Sequence, residues 1–158
     1  SVNFGQLVTA YTDQIETLID GGADLLLVET IFDTLNAKAA IFAIQQVFER
    51  RGTRLPLMVS GTITDRSGRT LTGQTVEAFW NSLAHAAPLT IGLNCALGPD
   101  LMRPFVEELV TVTSWPIGKN PDVGEIASDG GLSVTPPPVP MLPVLIMQVC
   151  RRWPFSSR

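Results

Sequence analysis

The sequence predicts a parallel α/β fold, on three observations. Three short apolar runs of strand length recur about 30 residues apart, one segment of helical apolar periodicity lies between each pair, and no Gly-x-Gly-x-x-Gly loop follows any run. Such spacing is that of βαβ units with right-handed crossovers. It fits a barrel or an open doubly wound sheet, although the absent glycine loop removes the usual support for a dinucleotide-binding version of the latter.

From Phe4 onward Leu7, Val8, Tyr11, Ile15, Leu18 and Ile19 recur at three- and four-residue steps, the period of one helix face. Gly21 and Gly22 end that helix, since glycine accepts the positive φ of a carboxyl cap. Leu25 to Val28 is then a strand, and its uniform hydrophobicity predicts burial on both faces. Asp33 or Thr34 caps a second helix with Leu35, Ile41, Ile44, Val47 and Phe48 inward. Arg50, Arg51 and Gly52 close it, the arginines complementing the carboxyl end rather than binding phosphate. Strand Leu57 to Ser60 follows, and a polar loop from Gly61 to Gln74 leads to a third helix bearing Val76, Phe79, Trp80 and Leu83. Pro88 introduces the strand Leu89 to Asn94. A fourth helix begins near Pro99 or Asp100, with Leu101, Phe105, Val106 and Leu109 inward.

Past Thr113 the periodicity stops. Eight of the 12 prolines, Pro116, Pro121, Pro136, Pro137, Pro138, Pro140, Pro143 and Pro154, fall there. Proline removes backbone donors and excludes helix, so the division is residues 1–113 as a partial barrel and 114–158 as an irregular proline-rich tail, with Val144 to Val149 its one strand-like run. Three strands cannot close an eight-stranded barrel, which needs about 250 residues.

A formal net charge of -4 gives no electrostatic reason to expect nucleic acid or an anionic membrane. No apolar run approaches the roughly 20 residues that span a bilayer, and the first residues given lack a basic segment followed by an apolar run, so no membrane targeting is expected. The two cysteines, Cys95 and Cys150, form no disulfide framework, so a reducing, cytoplasmic setting is expected.

Each strand ends on polar or reactive groups: Glu29 after the first, Ser60 and Thr62 after the second, Asn94 and Cys95 after the third. Ligands of parallel α/β folds bind at the carboxyl ends of strands, so these residues should converge. The plain alternatives are structural: Glu29 capping a loop, Ser60 and Thr62 satisfying local backbone, Cys95 a small buried hydrophobe. Cys95 suits zinc chemically, but no Cys-x-x-Cys or His pair accompanies it. His85, placed on the third helix away from its apolar stripe, reads as a solvated position. It gives Cys95 no evident base for a nucleophilic role.

Read as continuous words, the strand ends carry more. Val28-Glu29-Thr30-Ile31-Phe32-Asp33-Thr34-Leu35-Asn36-Ala37-Lys38-Ala39-Ala40, Ser60-Gly61-Thr62-Ile63-Thr64-Asp65 with Ser67 to Thr75, and Gly92-Leu93-Asn94-Cys95-Ala96-Leu97-Gly98-Pro99 resemble the homocysteine-binding barrel of cobalamin-dependent methionine synthases. These lie within the wider homocysteine S-methyltransferase family. That family shares mainly the Glu of the first motif and the Asn-Cys of the third, so the stretch Ser60 to Thr75 is what points to the cobalamin enzymes. The resemblance covers roughly Phe4 to Val110.

What the resemblance implies is a methyltransferase with a partial (β/α)8 TIM-type barrel of about three to four βα units. In that family three cysteines bind zinc, homocysteine adds its sulfur as a ligand, and the thiolate takes a methyl group from methylcobalamin carried by a separate cobalamin-binding domain. Zinc suits this chemistry because it keeps a thiol deprotonated at neutral pH. By position Cys95 matches the first zinc cysteine, while Glu29, holding the substrate amino group, and Asn94 are the substrate-binding residues. The family's remaining ligands are an adjacent cysteine pair. This chain has no Cys-Cys, and Cys150 with Arg151, Arg152 and Trp153 does not match. The expectation is therefore a fragment with little or no methyl transfer of its own and a tail foreign to the family after about Thr113. The competing expectation is a non-catalytic α/β interaction module that associates through open sheet edges.

Overall fold

Helix α1 (Phe4–Asp20) starts where two side chains answer each other: Asn3 accepts the Gln6 backbone N–H at 2.9 Å, and Gln6 accepts the Asn3 N–H at 3.0 Å. Two donors that no helix carbonyl can reach are thereby satisfied. The computed structural model describes residues 2–95, 99–113 and 146–148. In these, α1 is followed by β1 (Leu26–Ile31), α2 (Thr34–Arg51), β2 (Leu57–Ile63), α3 (Val76–Leu83), a 3-10 turn (Ala84–Ala86), β3 (Thr90–Cys95), α4 (Pro99–Thr113) and β4 (Ile146–Gln148). Asp33 caps α2 by accepting the Leu35 N–H at 2.9 Å, and Gly52 closes it in the left-handed conformation (φ 63°).

The sheet order is β3-β2-β1-β4. β1, β2 and β3 are parallel, with Val28 opposite Val59 and Val59 opposite Ile91, as the βαβ spacing predicts. β4 pairs antiparallel to β1, Val28 opposite Met147. It falls inside the predicted Val144 to Val149 run, and the rest of the tail lies outside the described residues.

One core joins strands and helices. Leu26, Val28, Val59 and Ile63 pack with Ile15, Ile41, Ile44, Val47, Phe79 and Leu83, all at most 1% exposed. Each such side chain contributes about 1.5–3 kcal/mol as an upper estimate. The helices thus cover one face of the parallel strands, an arrangement compatible with part of a βα barrel. The expected burial of both faces is not seen among the described residues. Leu27 and Met58, on the opposite face by strand alternation, are half-buried.

Other expectations shift in detail. The strands run further than predicted, so Glu29, Thr62 and Cys95 join Ser60 and Asn94 inside them. Hydroxyl, amide and carboxyl groups are tolerated there because, among the described residues, the helices cover only the other face, and the buried Thr62 hydroxyl is hydrogen-bonded to Asn94. Leu35 and Leu101 point outward (61% and 40% exposed) instead of inward; both sit in a first helical turn. Leu89 precedes its strand and is 56% exposed. His85 belongs to the 3-10 turn, not to α3, and is exposed as expected. Arg50 and Arg51 occupy the last turn of α2, and they also tie α2 to α1. Arg50 meets Glu16 at 2.8 Å, while Arg51 pairs with Glu16 and, at 2.8 Å, with Asp20. Being exposed, these pairs add little and are screened by salt. The Tyr11 hydroxyl, donating to Asn36 Oδ1 at 2.9 Å, is a second link between the two helices.

Candidate functional site

Because β1, β2 and β3 run the same way, their carboxyl ends share one rim, and the residues singled out from the sequence sit along it. In β2 the buried residues Leu57, Val59 and Ile63 face the helices, which leaves Met58, Ser60 and Thr62 on the other face. The register sets Thr62 opposite Asn94, Ser60 opposite Gly92, and Ile63 opposite Cys95, the last residue of β3.

Two hydrogen bonds fix the middle of this rim. Thr62 Oγ1 donates to Asn94 Oδ1 at 2.6 Å, and Asn94 Nδ2 donates to Ser60 Oγ at 3.0 Å. Asn94 is thereby held with its carbonyl toward Thr62 and its amide toward Ser60. Each amide nitrogen carries two hydrogens and each hydroxyl one. The Ser60 proton and the second Asn94 N–H are therefore not consumed by this pair of bonds. Gly92, next to them, has open space where a Cβ would project, with no heavy atom within 4 Å.

Glu29 stands on the neighbouring strand, one step beyond the paired Val28 and Val59. Burial alone pushes its carboxyl above the usual value. Among the described residues no cation pairs with it. Glu29 and Asn94 lie on strands separated by β2, two spacings of about 4.8 Å apart.

The stretch after β2 folds into tight turns beside this rim. Asp65 Oδ1 accepts the Ser67 N–H at 2.8 Å, Arg69 reaches the Gly73 carbonyl at 2.7 Å, and Gly68 and Gly73 take positive φ (74° and 85°). Thr72 Oγ1 donates to the Phe32 carbonyl at 3.3 Å, fastening the turn to the end of β1. A Cβ on Gly68 would fall 2.1 Å from the Phe105 ring, so glycine there also permits α4 to close on the turn.

Against known families, the homocysteine S-methyltransferase model matches residues 1–140. The chain belongs to the homocysteine S-methyltransferase family. Methyl transfer to homocysteine is that family's reaction. The matched span includes every rim residue.

The family resemblance also brings a metal into question. Zinc sites use three or four protein ligands. Among the described residues no three His, Cys, Asp or Glu side chains gather to hold one. Cys95 is their single thiol, and the other cysteine, Cys150, lies outside the described residues. The donor set seen here does not fit a complete zinc site, and no step below passes through one. No helix among the described residues is long and apolar enough to cross a membrane.

Sequence reasoning named Glu29, Ser60, Thr62, Asn94 and Cys95 as strand-end residues, and the structure sets their backbones toward the carboxyl ends of parallel strands, with Ser60, Thr62 and Asn94 hydrogen-bonded together and Cys95, opposite core-facing Ile63, one residue out of phase with Asn94. The bond between Ser60 and Asn94 was not foreseen, nor was the opening at Gly92. A glycine in a strand interior was the available signal, since it often marks close approach of a ligand.

Proposed function

We propose that this rim binds the amino-acid head of L-homocysteine and belongs to the methionine synthase type within the family. The Glu29 carboxylate receives the substrate ammonium. Ser60 Oγ–H and the second Asn94 N–H meet its carboxylate, and Thr62 holds the Asn94 amide in the orientation this needs. The thiol-bearing arm then extends past the end of β3, where Cys95 stands. The observation that carries the reading is Glu29, a half-buried carboxyl with no cation against it among the described residues, on the face that also carries the Ser60–Asn94 donors.

The methionine synthase type is proposed from the Ser60 to Thr75 words, which would make a methylcobalamin-carrying domain the methyl donor and zinc the activator of sulfur. Cys95 would be one thiolate of the metal set, with its partners supplied by groups beyond those described. On this reading the chain captures homocysteine, and transfer needs the remaining ligands and the cobalamin domain. A cytoplasmic setting is proposed with it. Calorimetric titration of the full chain with L-homocysteine tests the capture: saturable binding weakened by Asn94→Ala is expected, and absence of binding by the folded chain would overturn it.

A second reading keeps one observation. β3 is an edge of the described sheet, a position from which strands associate. Size-exclusion chromatography separates the two: a discrete oligomer that does not bind homocysteine would favour an interaction module.

A further inference from the structure

The pairing of β1 with β2 slips next to Glu29. Val28 opposes Val59 and Ile31 opposes Gly61, so β1 takes three steps where β2 takes two. One extra residue in a strand is a bulge, which bends the strand and re-aims side chains. The backbone conformation that absorbs it is at Thr30, whose φ is 58°. That left-handed value is uncommon for any residue but glycine, asparagine or aspartate, and is an outlier for a β-branched one.

The consequence is readable in burial. Val28 and Ile31 are both 0% exposed in the core under the helices. In an unbroken strand, residues three apart lie on opposite faces, and Ile31 would share the face of Glu29. The extra step returns Ile31 to the core at once and leaves Glu29 on the opposite face, beyond the last regular pair with β2, while on its other edge it still stands opposite Ile146 of β4. Past it the chain is held again where Phe32 accepts the Thr72 hydroxyl. Glu29 thus stands between two fixed points, Val28 and Ile31, with the left-handed residue between it and the second.

We propose that the bulge at Thr30 sets the position of Glu29 on the rim, making Thr30 a positioning residue for the substrate ammonium. The inference deepens the homocysteine reading and rests on it for the identity of the cation. The placement of Glu29 stands apart from it.

The test uses the full chain with Thr30→Gly, Thr30→Ala and Thr30→Pro. Glu29 is followed by carboxyl-carbon NMR titration, assigned with Glu29→Gln, and homocysteine binding by calorimetry. Glycine accepts positive φ and proline forbids it. Thr30→Gly should keep the raised Glu29 titration and bind homocysteine within about twofold of the parent. Thr30→Pro should return Glu29 toward an ordinary carboxyl and weaken binding tenfold or more. Where φ is positive, glycine should also out-stabilise alanine, the reverse of their order in a regular strand. Thr30→Gly is therefore expected to have the higher urea midpoint, a comparison that holds even where Thr30→Pro does not fold. A Glu29 titration unmoved in folded Thr30→Pro, or a midpoint for Thr30→Ala above that of Thr30→Gly, would overturn the proposal. A parent chain that binds no homocysteine, yet whose Glu29 titration follows the Thr30 series, would sink the substrate reading and leave the positioning standing.

Discussion

Replacing glycine by alanine at two positions of adjacent strands should give opposite results, and the reason lies in what each Cβ would meet. At Gly61 the new atom would stand 2.7, 2.9 and 3.0 Å from Phe79 Cζ, Cε2 and Cε1. Phe79 is fully buried in α3, and β2 is paired on both sides, so neither partner can retreat cheaply. Overpacking of this kind costs about 1–3 kcal/mol, against which the stiffer unfolded chain returns about 0.4–1 kcal/mol. Gly61→Ala is therefore expected to destabilise by roughly 1–2 kcal/mol. At Gly92 no heavy atom lies within 4 Å, and only the unfolded-state gain of up to about 1 kcal/mol remains. Urea unfolding followed by circular dichroism measures both. Phe79→Leu, which shortens the obstructing ring, should rescue Gly61→Ala, the double variant being about 1 kcal/mol more stable than the sum of the singles. A Gly61→Ala protein within about 0.5 kcal/mol of the parent, or strictly additive singles, would refute the argument that β2 and α3 meet through this glycine.

Four further outcomes follow from the geometry. Burial holds the Glu29 carboxyl above its ordinary value, so the stability it contributes is present below the unfolded pKa and is lost as pH rises through the folded one. Glu29→Gln should flatten stability against pH in the window just above ordinary carboxyl values, measured by urea midpoints across pH. Homocysteine affinity should move the other way in the same window, since only the ionised Glu29 pairs with an ammonium, and should fall as pH is lowered through it. Tyr11→Phe removes the hydroxyl that donates to Asn36 and should cost about 0.5–1 kcal/mol, with Asn36 half exposed and able to rehydrate. Asn94→Ala takes the acceptor from Thr62, which is only 7% exposed, and should cost about 1–3 kcal/mol while also weakening homocysteine binding.

Much of the fold was legible because its determinants are local. Asp33 before an apolar-periodic run, Gly52 after it, and apolar runs at Leu57 and near Leu89 each carry a direct physical signal. Leu35 and Leu101 were misassigned because periodicity names a face but not the helix end. A first-turn residue can hold the right phase and still project beyond the elements it would pack on. Strand ends were drawn short at Val28 and Ser60 because the polar residues that follow read as loop, whereas a sheet whose described helices cover one face carries them inside its strands on the other. The rim was half legible. Glu29, Asn94 and Cys95 stood out as types at strand ends and through family resemblance. The orientation of the Asn94 amide depends on Ser60 and Thr62 arriving from another strand, which no local pattern encodes. The left-handed Thr30 was invisible for a different reason, since threonine is not a residue that signals positive φ.

The central claim is that Glu29 recognises the ammonium of homocysteine, and a ligand-truncation cycle tests it most directly. Calorimetric affinities of the parent chain and of Glu29→Gln would be compared for L-homocysteine and for 4-mercaptobutanoate, which keeps the thiol and carboxylate but lacks the amino group. A charged hydrogen bond of about 1.5–3 kcal/mol predicts that the parent prefers homocysteine by roughly ten- to a hundredfold and that Glu29→Gln loses this preference. An equal preference in Glu29→Gln, or none in the parent, would contradict the account.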